Sequence, residues 1–285
     1  MKKSIIAAVL CLFQLTSYAQ FGTFKKKAEL EKFKDTRVVV VLMKDSSYNE
    51  SILAAMEKYW NFTAAEYTPD TAMKKYLKGD YAFLLFSKSK GSKNKAKLCT
   101  SEEDFNGLVI TRKFKRKILA DDVIARAFCN NNIDTADWET EMIRGVQLLN
   151  NYFNYAIQMP SESNIAQVRM MNDYPSDKSL LLDKKLLVED KQMELKGKED
   201  GPALFDGEIE EVDRTEINRA IKEQNNNINY FMYVKDEKYC NKLVINATNS
   251  EVMYFDSTSP EKCKLNGSDL KSLKKIKDTA MKKNR

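Results

Sequence analysis

The chain has 285 residues, 43% of them hydrophobic and 10% aromatic, and 47 Lys and Arg against 41 Asp and Glu give a net charge of +6. That is enough apolar material to bury a core across about two domains, and the near-balance of charge leaves no strong global field to draw in polyanions. Histidine is absent, which excludes a Ser-His-Asp triad, a Cys-His dyad, a histidine base and any His-ligated metal.

Residues 1–19 read as a secretory signal peptide. Lys2 and Lys3 precede an apolar run from Ser4 to Thr16, and Ser17-Tyr18-Ala19 places small residues for a cut before Gln20. The run is shorter than the ~20 residues of a membrane span. Cys11 lies inside it, but Leu10 stands where a lipobox needs a small residue, so soluble export is expected rather than lipidation. Localisation is therefore periplasmic or at the outer membrane, with no transmembrane segment in the mature chain.

After the leader, Phe24–Lys34 predicts a short charged helix, and Arg37–Met43 a strand buried on both faces. Ser47 and Glu50 form a capping box for a helix with Ile52, Leu53, Met56, Tyr59 and Trp60 on one stripe. Phe62–Tyr67 predicts a strand, Thr68-Pro69 the start of a helix to Lys78, and Tyr81–Phe86 a third strand. Ser87–Lys97 is a basic loop, and Leu98–Thr100 and Leu108–Thr111 could extend the sheet. Thr135–Ile157 predicts a long helix ending before Pro160.

A second cycle starts near Lys184. Lys185–Val188 predicts a strand, Met193–Phe205 a loop or distorted helix, and Glu208–Val212 a strand. Asp213 and Glu216 cap a helix to about Gln224, and Tyr230–Val234 predicts another strand. Asn241–Ala247 and Glu251–Asp256 predict a hairpin. Lys262–Arg285 reads as a basic, solvated tail with a faint helical stripe. The fold class is α/β or α+β, with mixed sheets and βαβ-type units. The expected organisation is a signal peptide (1–19), an N-terminal α/β domain (20–170), a smaller α/β domain (171–262) and a basic tail (263–285). Residues 66–86 and 211–234 share one plan, a strand end, a capped helix, a polar break and an aromatic strand, which suggests a weak internal repeat.

Four cysteines follow the leader, and an even number in an oxidising compartment allows two disulfides in three connectivities. The bridge expected is Cys240–Cys263, because these residues flank the hairpin; the alternative is a pair of buried free thiols. No C-x-x-C, calcium loop, Walker loop or G-x-G-x-x-G occurs, and no cofactor or metal site is indicated. Ser-x-x-Lys recurs at Ser87, Ser92 and Ser272 without the partners of penicillin-recognising enzymes. Acid clusters lie at Glu102–Asp104, Asp121-Asp122 and Glu208/Glu210/Glu211, and read as solvated charge rather than as a glycosidase pair. No catalytic residue is assigned. The binding candidates are Tyr59, Trp60, Asn151, Tyr152 and Tyr155, where rings and amides gather at two helix ends. Buried packing is the competing reading for the same residues.

The signal ending in Ala-Gln, the Tyr48-Asn49 to Tyr59-Trp60 spacing, strand 37–43 and the EINRAI to NYFMYV segment resemble uncharacterised exported proteins of Bacteroidota-type bacteria. That resemblance implies a cell-envelope location. The expected function is a non-enzymatic binding or assembly module acting on an envelope protein or glycan, not on nucleic acid. The alternatives are a carboxylate-dependent hydrolase of envelope glycan or peptide polymers, and capture of a small ligand between the two halves.

Overall fold

The structure, a computed structural model, describes residues 27–88, 99–101, 106–119, 122–129, 137–158, 184–196, 200–235 and 237–283. The leader, loop 89–97, acid cluster 102–104, Asp121 and the interval holding Pro160 and Pro175 lie outside these residues.

Helix α1 (Lys27–Lys34) leads into β1 (Arg37–Leu42), whose Val38–Val41 run is buried on both faces. Helix α2 (Ser46–Tyr59) follows, capped by Asp45, whose carboxylate accepts from the Tyr48 amide at 3.0 Å. The cap therefore sits two residues ahead of Ser47, the residue expected from the capping-box pattern. Strand β2 (Ala65–Pro69) takes Thr68 and Pro69 into the sheet, and only a 3-10 helix, Asp70–Tyr76, separates it from β3 (Tyr81–Lys88). Thr68 is thus a buried strand residue rather than a helix cap. Two short strands, β4 (Cys99–Ser101) and β6 (Lys117–Ile118), extend the sheet beside the end of β3, while β5 (Gly107–Thr111) and β7 (Val123–Phe128) complete it. Helix α3 (Trp138–Ala156) closes this half.

The second half repeats the path. Strand β8 (Lys185–Glu189), short β9 (Met193–Glu194), helix α4 (Gly201–Phe205) and β10 (Ile209–Val212) are followed by α5 (Arg214–Lys222) and β11 (Ile228–Lys235). Then come β12 (Cys240–Asn246), β13 (Val252–Thr258), β14 (Leu265–Asn266) and α6 (Gly267–Lys283). The central order of the first sheet is β2-β1-β3-β5-β7, and that of the second is β10-β8-β11-β12-β13. In both, the first three strands in sequence are parallel and the last two pair antiparallel. The two sheets are two copies of one topology.

The layers follow from that order. The crossovers β1→β2 and β2→β3 run in opposite directions across the sheet, so right-handedness puts α2 and the 3-10 helix on opposite faces. Helix α3 packs along α2, and in the second half α6 packs along α4, while α5 lies against α3. Burial alternates accordingly. Leu186, Val188 and Phe231 join Leu270 and Leu273 of α6 in one apolar cluster, whereas Leu187, Tyr230 and Met232 join the main core that contains α3. Helix α3 is consequently buried on almost every side, and Gly145 lets it approach the first sheet: a Cβ there would stand 2.7 Å from Leu108 Cδ1.

Cys240 and Cys263 are disulfide-bonded with Cα atoms 5.5 Å apart, which joins the start of β12 to the approach to α6. The stretch expected as a solvated tail is a packed helix from Gly267 to Lys283. Besides Leu270 and Leu273, several of its anchors are polar, which hides them from an apolar-stripe reading. Lys242 pairs with Asp269 at 2.7 Å, Tyr254 donates to the same carboxylate at 3.0 Å, and the Asn266 amide donates to it at 2.9 Å. Farther along, the buried Lys277 ammonium donates to the Asp206 carbonyl and lies 4.6 Å from the centre of the Phe205 ring. Among the described residues, no helix is long and apolar enough to cross a membrane.

Candidate functional site

Among the described residues, ionisable side chains gather in a closed seam and in an open cleft. The closed one is the seam between α3 and the second half. Asp137 caps α3 through the Thr140 amide at 3.2 Å, and a polar stripe then runs along the helix through Glu141, Arg144, Gln147 and Asn151. Glu141 pairs with Arg144 one turn on and with Arg214 of α5 at 3.3 Å, while Arg214 reaches Glu189 at 3.5 Å. Gln147 accepts from the Ser250 hydroxyl at 2.7 Å, and the Asn151 amide donates to the Asn249 carbonyl at 2.7 Å. Gln224, two residues past α5, donates to the Thr248 carbonyl at 3.1 Å, so the β12–β13 turn is held from α3 and from the end of α5.

Burial dominates the electrostatics of the seam. Burial works against the charge on Arg144, but Glu141, Tyr230 and Cys129 together outweigh it, and the guanidinium stays protonated. Burial pushes the Tyr230 phenol up to about 12, with Arg144 and Arg214 pulling the other way. Burial, reinforced by Glu141, also drives the Cys129 thiol far above its usual range, which withholds the thiolate a nucleophile needs. These groups lie buried where the two halves meet.

The residues expected to bind are placed by the same helices. Trp60 is buried, donates from Nε1 to the Thr63 carbonyl at 3.0 Å and meets Phe153 edge-on at 5.9 Å. Tyr152 is buried against the same Phe153 at 5.1 Å, so these two candidates share one aromatic joint with Phe33 and Phe62. Asn151 lies apart, on the turn at Asn249. Tyr59 and Tyr155 are half-buried. Neighbouring amides knit the joint: Asn150 accepts from the Asn61 amide at 3.0 Å and Asn154 donates to the Asn61 side chain at 3.0 Å. What these contacts do is fix α3 to the end of α2.

The open place is a cleft of about 260 Å³ between α5 and the edge of the second sheet. Its floor is apolar, formed by Leu187, Ala220 and Ile228, and its walls carry Lys185, Glu210, Glu216, Arg219, Glu223 and Asn225. Parallel pairing of β8 with β10 sets Lys185 beside the acids of β10, and its ammonium meets Glu208 at 2.7 Å and Glu210 at 2.9 Å. Those two carboxylates hold Lys185 protonated well above the usual lysine range. On the opposite wall Glu216 pairs with Arg219 one turn on and raises it likewise. Glu208 and Glu210 stand two residues apart in the sequence, but Lys185 lies in a different strand, and nothing in the sequence announces which strands pair.

Of the other sequence motifs, Ser87 is a buried strand residue and Ser272 donates to the Ser268 carbonyl within α6. Asp122 pairs with Lys115 at 2.5 Å. No group of acids or cysteines among the described residues could hold a metal ion. No family model, curated protein or solved structure matches the chain.

Proposed function

We propose that this protein is exported to the cell envelope and works there as a non-catalytic binding or assembly module, with the α5–β10 cleft as its contact site. The observation that carries this reading is where the reactive groups sit. Cys129, Tyr230 and Glu141 are sealed in the seam, whereas the accessible cleft offers paired ions over an apolar floor. Opposite charges on facing walls suit a partner that also carries both signs, such as a peptide segment. A disulfide between buried Cys240 and Cys263 fits an oxidising compartment, and the resemblance to exported Bacteroidota-type proteins points the same way.

Two measurements test it. Mass spectrometry of the protein from a periplasmic fraction should find Gln20 at the N-terminus; an intact leader in the cytoplasm would remove the export half of the proposal. Envelope extract passed over immobilised protein should yield a partner that Arg219→Glu releases. The three carboxylates of the cleft keep the hydrolase reading in view. Turnover of an envelope glycan or peptide, abolished by Glu210→Gln or Glu216→Gln, would replace binding with catalysis.

A further inference from the structure

We propose that α6 is a docking helix for an anionic bilayer: its exposed lysine face lies on phospholipid headgroups and holds the folded protein at a membrane it does not cross. This goes beyond the cleft and its partner and depends on neither.

The C-terminal stretch is strongly basic. From Glu261 to Lys283 there are eight lysines against three acids, a local charge of +5. Of its acids, Asp269 is buried and neutralised by Lys242. Of its lysines whose side chains are described, only Lys277 is buried in the core. The outward side presents Lys271, Lys274, Lys275 and Lys282, with Asp278 as its one acid, and exposed Lys262 and Lys264 continue it beyond the helix start. None of these six lysines has an ion-pair or hydrogen-bond partner among the described residues.

The geometry suits a plane. Lys271, Lys275 and Lys282 fall within about 40° of one another around the helix and span roughly 16 Å along it. Like charges four residues apart disfavour a helix in isolation, so the arrangement gains most when an anionic surface faces it. Ammonium groups are compact point charges without the fork that selects a single carboxylate, which matches diffuse headgroup charge better than one protein site. Leu270 and Leu273 are committed to the core, so attachment is electrostatic, with Met281, 37% exposed, as the apolar contact on the outside.

The test is co-sedimentation of the full-length chain with vesicles of phosphatidylcholine, with or without 30% phosphatidylglycerol. The apolar leader is common to every variant and is measured by the neutral vesicles. The wild type should bind the anionic vesicles more tightly, and the excess should vanish in high salt. Lys271→Gln/Lys275→Gln/Lys282→Gln should lower the partition on the order of 100-fold, about fivefold per lysine. Lys58→Gln/Lys74→Gln/Lys78→Gln, three exposed lysines elsewhere, should leave it unchanged, and matching thermal melts would show both triple variants folded. Equal binding to both vesicle types, or equal loss in both triple variants, would overturn the proposal. Salt-sensitive binding to soluble polyglutamate without binding to anionic vesicles would overturn it in favour of an acidic protein partner.

Discussion

Arg144 and Glu141 show how much depends on which partner of a buried pair is lost. Arg144→Met takes from the buried Glu141 its nearest cation, with Arg214 standing at 3.3 Å, and should cost roughly 3–5 kcal/mol in urea denaturation. Arg214 is partly exposed, so Arg214→Met should cost only about 1 kcal/mol by the same measurement. A double variant with Glu141→Gln and Arg144→Met should recover part of the larger loss, since it removes the stranded charge. Tyr230 gives the seam a signature in alkali. The unfolded chain releases the phenol proton near pH 10 and the folded protein only near 12, so its contribution is fully present below pH 10 and is lost as pH climbs to 12. Stability should fall by about 2–3 kcal/mol more in the wild type than in Tyr230→Phe across that window, followed by denaturant midpoints.

Elements with local signals were legible in the sequence, and elements set by distant partners were not. The Asp213 cap is an example of the first kind: its carboxylate accepts from the Glu216 amide at 3.0 Å, as the spacing predicts. Asp213→Ala should lower stability by about 1 kcal/mol in thermal melts, with the loss confined to α5. Valine runs, the Tyr81–Phe86 strand and the β12–β13 hairpin were equally plain. The register of α2 was missed because Asp45 caps as well as Ser47 would, and sequence alone does not rank them. Strands β6 and β7 carry mixed residues without strict alternation and were passed over. Helix α6 was read as a tail because its buried anchors include Lys277 and Asp269, residue types that usually mark a surface. The open cleft was invisible for a related reason: Lys185 and Glu210 are 25 residues apart and meet only because β8 and β10 pair in parallel.

At the scale of the molecule, the suggested repeat in the sequence corresponds to two sheets with one strand order, stacked so that the helix layer of the first faces α5 of the second. A stack of like units could continue if its end faces were apolar. The lysine face of α6 ends it, as polar outer faces do in terminal repeats. The disulfide secures that last layer. Cys240→Ser/Cys263→Ser should cost roughly 2–4 kcal/mol, and reductant should lower the melting temperature of the wild type alone.

The polar stripe on α3 has a bearing on how the chain reaches this state. The first half is made first, and without the second its α3 would turn Glu141, Arg144, Gln147 and Asn151 toward water instead of an unbroken apolar band. A half-finished chain with such a surface is less adhesive than one cut through a purely apolar core, where exposed hydrophobic area invites aggregation. The seam that locks the finished protein thus also lets its first sheet wait, hydrated, for the second.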